Sequence, residues 1–238
     1  MKTWQQGLLA GVIIILGVGA MIYFRNNSNP KPSNNSNQDT TNINTTNSNQ
    51  PDTAQCTRNV DNTLMNEPID IKNKTVTLNV ENYGDITVQL YDQDAPKAVE
   101  NFLRLTKSGY YDCITFHRIA KGFVIQGGDP TGTGSGGESA FGQDFADELD
   151  ANTPSAKTGY VKGVLAMANR GPNTNSSQFF IMLDDAPQMP HAYTIFGKVI
   201  AGQDVVDKIG QAEINPQMGP TDGAPVNKIT ITKATISN

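Results

Sequence analysis

One arginine stands in a setting where a charged hydrogen-bond donor could do chemistry. Arg118 lies in the segment Phe116–Asp129, among aromatic and aliphatic side chains, and the segment ends in a pair of glycines and Asp129. A guanidinium is permanently charged and presents its N–H donors in a fixed fork. Such a donor can stabilise an acceptor that exists only in a transition state. Taken alone, an arginine between strands is more often a solvated or ion-paired surface residue.

The sequence lacks the patterns of several other kinds of active site. Seven glycines lie between Gly127 and Gly142, but they match no phosphate-binding P-loop and lead into no periodic helix, so an ordered surface loop with positive-φ glycines is expected. No G-x-S-x-G motif is present, and His117 and His191 lack a nucleophile partner. Two His and two Cys in the whole chain exclude a zinc ribbon or a cysteine-rich scaffold. We therefore expect no metal and no cofactor.

The charge of the chain argues against a nucleic-acid partner. The 238 residues carry a net charge of −5, and residues 1–59 contain only four of the 18 Lys+Arg and two of the 23 Asp+Glu. The part from Val60 onward therefore holds 14 positive and 21 negative side chains, a net charge near −7. A surface with this surplus repels phosphate backbones, so no nucleic acid is expected to bind.

The arginine must be positioned by a domain that the sequence predicts to be mainly β and to span residues 60–238. Apolar and polar residues alternate in Thr75–Val80 and in Asp85–Tyr91, with turn residues between them, which predicts a hairpin. Further strands are predicted at Thr115–Ile119, Val124–Gln126, Val164–Ala168, Gln178–Leu183, Tyr193–Val199 and Lys228–Ala234. Many short strands with few helices favour a closed barrel or a sandwich.

Two helices are predicted within this domain. Asp94 can cap the first, Pro96 suits its first turn, and Gly109 suits its end. The second is predicted at Gln203–Ile209, with its valines and Ile209 packed inward.

Residues 1–25 are predicted to be a membrane anchor. Leu8 to Phe24 is a run of 17 uncharged residues, which at about 1.5 Å per residue just spans a hydrocarbon core of about 30 Å. The alternative is a cleavable signal peptide, because Val18-Gly19-Ala20 fits the small-residue rule for cleavage. Positive charges flank both ends of the run, so the positive-inside rule does not decide the orientation.

Residues 26–59 are predicted to be a disordered linker. Residues 26–53 include ten Asn, four Ser and five Thr and a single aliphatic side chain, Ile43. Such a composition cannot bury enough apolar surface to offset the entropy of ordering. A flexible tether that holds a domain away from a membrane favours an extracytoplasmic location, either anchored or secreted after cleavage.

Three separated motifs resemble those of the cyclophilin family of peptidyl-prolyl cis/trans isomerases. They are Phe116–Asp129, Met167–Ile181 and Ile195–Lys198, and the similarity extends from about Lys74 to Ile236. The resemblance implies a closed, eight-stranded antiparallel β-barrel capped by two helices, with a substrate groove on its outer face. It also implies an enzyme without a cofactor that acts on proline-containing polypeptides, and we expect a monomer.

The resemblance assigns roles position by position. The family's essential arginine falls on Arg118, and its proline-pocket aromatics fall on Phe123 and Phe180. The other substrate-binding positions are His117, Val124, Gln126, Ala168, Asn169 and Tyr193. Tyr193 stands where many members have His, and the only Trp is Trp4, so the groove Trp that contributes to cyclosporin binding is absent. Cyclosporin sensitivity is therefore left open.

The predicted reaction requires no bond to be made or broken. Rotation about an Xaa-Pro bond costs roughly 18–20 kcal/mol because it disrupts amide resonance. The twisted prolyl nitrogen regains a lone pair, to which a guanidinium can donate. A millionfold acceleration needs about 8 kcal/mol, and one charged hydrogen bond supplies about 1.5–3, so the grip on the proline ring must supply the rest. The alternative is a proline-binding module or chaperone with little turnover.

Cys56 and Cys113 are the only cysteines. In a reducing cytosol they would be two free thiols, whereas in an exported domain a disulfide between them could hold the segment before the barrel. Such a bond would contribute about 2–4 kcal/mol.

Overall fold

Eleven strands form one antiparallel sheet in the computed structural model, which describes residues 56–238. In chain order they are β1 (Thr75–Val80), β2 (Gly84–Leu90), β3 (Ile114–Thr115), β4 (Arg118–Ala120), β5 (Val124–Gly127), β6 (Val164–Met167), β7 (Phe179–Met182), β8 (Ile195–Ala201), β9 (Ile214–Gly219), β10 (Asp222–Pro225) and β11 (Thr230–Ser237). Their order across the sheet is β3-β11-β1-β2-β8-β6-β7-β5-β4-β10-β9. Only two residues separate β3 from β4, which lie near opposite edges, so the sheet curls back on itself.

The mainly β architecture and the first hairpin are confirmed, but the strand count is wrong. The predicted strand Thr115–Ile119 divides into β3 and β4, and the hairpin of β9 and β10 was not expected. That hairpin is hard to predict because residues 214–225 include three prolines and two glycines, which usually mark turns. The expected closed ladder is also not found, since no strand pairing joins β3 to β9 within residues 56–238.

Three α-helices and one 3₁₀ helix accompany the sheet in the described region. They are the 3₁₀ helix Asn62–Asn66, α1 (Pro96–Lys107), α2 (Pro154–Thr158) and α3 (Gln203–Gln211). Helices α1 and α3 are the two that the sequence predicts, and α2 is an additional single turn. Phe102 of α1 packs edge-on against Phe179 and Phe196, with ring centroids 5.5 and 5.3 Å apart. This contact joins the helix to the inner face of the sheet.

The N-terminus of α1 is capped from a distant loop. Asp94, the predicted cap, instead accepts a hydrogen bond from the backbone of Ser155 at the start of α2. The two carboxylate oxygens of Glu148 accept from the backbone N–H groups of Lys97 and Ala98, at 2.9 and 2.8 Å. The prediction that Asp94 caps α1 is therefore wrong, because a more distant carboxylate already satisfies the first N–H groups of the helix.

The two faces of the sheet carry separate apolar clusters. Successive side chains of a strand point to opposite faces. Ile119, Ile125 and Ile181 therefore enter the inner core, where all three are fully buried. Their neighbours Val124 and Phe180 belong to a second cluster on the outer face, the outer cluster, with Ala120, Tyr160, Val164, Ala166, Met182 and Ile195. The residues that resemble a binding groove thus lie on the side of the sheet away from the main core.

The segment before β1 is held against the domain. Cys56 and Cys113 are joined by a disulfide in the structure, with their Cα atoms 5.5 Å apart. The Arg104 guanidinium of α1 donates to the backbone carbonyls of Met65 and Glu67. These contacts place residues 56–67 beside α1 and the start of β3.

No helix between residues 56 and 238 is long and apolar enough to cross a membrane. The predicted anchor in residues 1–25 lies outside the described residues, as does the linker up to residue 55. Both remain predictions.

Candidate active site

Arg118, Gln126 and Phe180 lie in one row on the outer face of the sheet. Arg118 of β4 pairs with Gln126 of β5, and Gln126 pairs with Phe180 of β7. If the guanidinium faced the core, or lay far from Phe123 and Phe180, a catalytic role for Arg118 would be excluded. The structure instead places it on the same face as Phe180, two strands away.

The apolar part of this face is formed by most of the residues assigned to substrate binding. Val124 and Phe180 are buried within the outer cluster, and Phe123, Ala168 and Tyr193 pack against it. The rings of Phe180 and Tyr193 meet edge-on with their centroids 5.6 Å apart. An apolar surface therefore lies beside a cation. Such a site can bind an apolar ring that is attached to a polar amide group.

Tyr160, which the sequence analysis did not single out, holds Tyr193 in place. Its hydroxyl donates to the carbonyl of Tyr193 at 2.8 Å and accepts from the N–H of Tyr193 at 3.0 Å. Burial raises the pKa of Tyr160 to about 12, so the hydroxyl stays protonated and able to donate at physiological pH. Tyr160 lies in a loop outside the quoted motifs, so no sequence pattern pointed to it.

The Arg118 guanidinium is fixed by three hydrogen bonds. Its Nε donates to Oδ1 of Asp222 at 2.9 Å, and its Nη2 donates to Oδ2 at 2.7 Å. Its Nη1 donates to Oε1 of Gln126 at 3.0 Å. Because a guanidinium has five N–H groups, one on each terminal nitrogen has no partner among the described residues. The side chain is about one quarter exposed, so these two donors can reach a ligand.

The Gln126 amide is occupied by protein partners on both sides. Its oxygen accepts from Arg118, and its Nε2 donates to Oε1 of Gln178 at 2.9 Å. Gln178 in turn donates to the carbonyls of Gly134 and Gly136, at 3.0 and 2.7 Å. The assignment of Gln126 to substrate binding stays a prediction, because the second N–H of its amide has no partner among residues 56–238. Its amide orients Arg118, and Gln178, although part of the quoted Met167–Ile181 motif, was not assigned a role.

The glycine-rich loop is ordered around Asp129. The Asp129 carboxylate accepts backbone N–H groups from Thr131, Thr133, Gly134 and Gly136, at 2.7 to 3.1 Å. Burial raises the pKa of this carboxyl, but the hydrogen bonds outweigh burial and lower its pKa to about 2. A Cβ on Gly136 would lie 2.3 Å from the carboxylate, so only glycine fits there. The predicted ordered loop with positive-φ glycines is confirmed.

His117 is a buried histidine next to Arg118 in the chain. The residue is 8% exposed, and neither ring nitrogen has a hydrogen-bond partner within the described chain. Burial lowers the pKa of His117, the Asp129 carboxylate raises it, and the Arg118 guanidinium lowers it, with a lowered pKa as the net result. The assignment of His117 to substrate binding stays a prediction.

The Asn169 side chain is used by its own loop. Its Nδ2 donates to the carbonyl of Ala192 at 2.9 Å, and its Oδ1 accepts from the N–H of Gly171 at 3.3 Å. No hydrogen bond from residues 56–238 engages the backbone N–H or carbonyl of Asn169. The side chain thus shapes the loop, and the backbone is left to pair with a peptide.

Comparison with known proteins gives a consistent result. A family model described as "Cyclophilin type peptidyl-prolyl cis-trans isomerase/CLD" matches residues 75–236. The chain is 48% identical over 158 residues to peptidyl-prolyl cis-trans isomerase CYP18-1 of Arabidopsis thaliana, which covers 66% of this chain and 95% of the relative. It is 44% identical over 152 residues to peptidyl-prolyl cis-trans isomerase-like 1 of Aspergillus niger, with 64% and 91% covered.

Solved structures agree in fold. A Cryptosporidium parvum cyclophilin type peptidyl-prolyl cis-trans isomerase matches with a TM-score of 0.62 at 40% identity, covering 70% of this chain and 98% of that one. The same protein in the presence of the dipeptide Ala-Pro also matches with a TM-score of 0.62, covering 69% of this chain and 99% of that one.

Proposed function

The chain belongs to the cyclophilin-type family and is a peptidyl-prolyl cis-trans isomerase. From this premise we propose that Arg118 is its catalytic residue and that the outer cluster binds the proline ring. We also propose that its substrates are exported or surface proteins. The observation that carries the proposal is the position of Arg118. Its guanidinium lies on the face that bears Phe180, and two of its N–H groups have no partner among residues 56–238.

The free N–H groups favour the twisted amide. A planar Xaa-Pro amide delocalises the nitrogen lone pair into the carbonyl, so the nitrogen accepts no hydrogen bond. As the bond rotates, the lone pair returns to the nitrogen and can accept from Nη1 or Nη2 of Arg118. An interaction made only in the twisted state lowers the barrier without tightening ground-state binding. The cation stays protonated throughout, so no proton is transferred.

The apolar surface and the Asn169 backbone supply the grip. Phe180, Val124 and Phe123 offer the surface against which a proline ring can pack, and Tyr193 closes one side of it. The backbone N–H and carbonyl of Asn169, which have no partner in the described part of the chain, can pair with the peptide group beside the proline. Holding one side of the bond while the other rotates is what converts binding energy into rate.

Substitution of Arg118 tests this mechanism. Loss of one charged hydrogen bond of about 1.5–3 kcal/mol should reduce kcat/KM for an Ala-Pro peptide by about 10- to 100-fold in Arg118→Ala. The measurement is a protease-coupled or NMR exchange assay on the purified chain. Arg58→Ala is the matched control, because Arg58 lies over the ring of Tyr110, away from the outer cluster. Unchanged turnover in Arg118→Ala would assign the catalysis to other groups.

The extracytoplasmic setting is supported by three features. Leu8–Phe24 has the length of a membrane span, the Asn-rich stretch after it has the composition of a tether, and Cys56 and Cys113 lie at bonding distance. Protease treatment of intact cells is the direct test. Release of the isomerase domain by external protease is the expected result, and full protection until the cells are lysed would contradict it.

A further inference from the structure

The hairpin of β9 and β10 brings a carboxylate to the catalytic arginine. Asp222 of β10 pairs with Ala120 of β4, and the backbone N–H of Lys121 donates to the carbonyl of Thr221 at 2.8 Å. The hairpin is tight, because a Cβ on Gly223 would lie 2.0 Å from the carbonyl oxygen of Asn215. Asp222 is thus placed by backbone pairing and not by a flexible loop.

The pair between Asp222 and Arg118 fixes the plane of the guanidinium. Both carboxylate oxygens are used, one by Nε and one by Nη2, which is the geometry that restrains an arginine most strongly. The Asp222 side chain is 19% exposed and that of Arg118 is 27% exposed, so solvent competes only in part. Without Asp222, the bond to Gln126 would be the only hydrogen bond from residues 56–238 to restrain the guanidinium.

We propose that Asp222 is a positioning residue for the isomerase reaction. Its carboxylate occupies the side of the guanidinium formed by Nε and one N–H of Nη2, so that the remaining N–H groups of Nη1 and Nη2 are held in place for the prolyl nitrogen. An arginine side chain has many rotamers, and the pair removes that freedom before substrate binds. The inference rests on the proposed catalytic role of Arg118. Asp222 itself has no contact with the substrate in this scheme.

The activity test is a double-mutant cycle on the full chain. Asp222→Ala should lower kcat about tenfold and change KM less than twofold, because the ground state does not use the oriented donor. Asp222→Asn keeps the volume and one acceptor oxygen, and it should show an intermediate loss. In the Arg118→Ala background, Asp222→Ala should change the rate less than twofold, measured by NMR exchange at high enzyme concentration. Asp207→Asn is the control, because Asp207 of α3 forms an ion pair with Lys162.

A spectroscopic measurement reports the positioning directly. The Nε–H signal of Arg118, assigned by its loss in Arg118→Ala, should exchange with water at least tenfold faster in Asp222→Ala and less so in Asp222→Asn. Asp207→Asn should leave it unchanged. The variants are compared only after thermal unfolding shows that they are folded, and Asp222→Asn serves if Asp222→Ala is not.

The outcomes separate the two proposals. If Arg118→Ala is inactive while the Asp222 variants retain the parental kcat and Nε–H exchange, the positioning role is overturned and the role of Arg118 stands. If Asp222→Ala lowers activity by the same factor with and without Arg118, Asp222 acts on the fold and the inference is also overturned. If Arg118→Ala is fully active, both proposals fall.

Discussion

Four side chains form a continuous hydrogen-bonded series that includes the Arg118 guanidinium and ends at Asp222. Gln178 is held by carbonyls of the glycine-rich loop, it accepts from Gln126, Gln126 accepts from Arg118, and Arg118 donates to Asp222. Neither glutamine amide can be flipped by 180°, because each amide oxygen accepts from a neighbouring N–H group. The direction of every bond is therefore fixed by the positive charge at Arg118 and the carbonyls at the other end.

His117 should make the protein less stable in mild acid. Burial lowers its pKa below the usual 6.5, so the unfolded chain binds a proton more readily than the folded one. The stability is then complete above about pH 6.5 and declines as the pH falls toward the pKa of the folded state, by at most about 1.4 kcal/mol per pH unit. The nearby Asp129 acts later, because its pKa of about 2 lies below the usual 3.8 and places its window in stronger acid.

The measurement is the free energy of unfolding in denaturant at pH 7 and pH 5. The difference between the two values should shrink in His117→Asn. It should persist in His191→Asn, because His191 is the exposed histidine. An equal pH dependence in all three proteins would show that another group is responsible.

At the scale of elements, local sequence patterns predicted the hairpins and helices that depend on interactions between residues close together in the chain. The β1–β2 hairpin was predictable because alternation and turn residues lie within one 16-residue window. The β9–β10 hairpin was not, because its pairing with β4 outweighs the poor strand propensity of its prolines and glycines. Asp222 was missed for that reason. Arg118 and Phe180 were found through family motifs, which carry no information on which carboxylate would meet the arginine.

The N-terminal cap on α1 was also missed, because the capping residue is distant in the sequence. It leads to a prediction. Glu148 satisfies two N–H groups of the helix from a loop about fifty residues away. Glu148→Ala should lower the free energy of unfolding by about 0.5–2 kcal/mol, the usual cost of a lost N-terminal cap, with kcat unchanged. Glu81→Ala is the control, since the Glu81 side chain is exposed and should matter by less than about 0.5 kcal/mol. Equal denaturation midpoints for both variants would contradict the assignment.

At the scale of the whole molecule, the segment before β1 is attached in two ways. The Cys56–Cys113 bond attaches its beginning, and polar contacts to α1 attach the rest, including the ion pair of Lys107 with Glu67 at 2.7 Å. The polar contacts do not depend on the redox state. Reduction should therefore loosen the start of the segment and leave the sheet and its outer face intact.

Cys56→Ser should separate stability from activity. Opening a loop with a sequence separation of 57 residues should lower the free energy of unfolding by about 2–4 kcal/mol, because the unfolded chain regains the freedom that the bond removes. The outer cluster contains neither cysteine, so kcat should not change. Reductant should lower the stability of the parent to that of the variant and have no effect on the variant itself. If reductant leaves the parent unchanged in denaturant titrations, and mass spectrometry finds two free thiols in exported material, the bond is absent and one support for the extracytoplasmic proposal is lost.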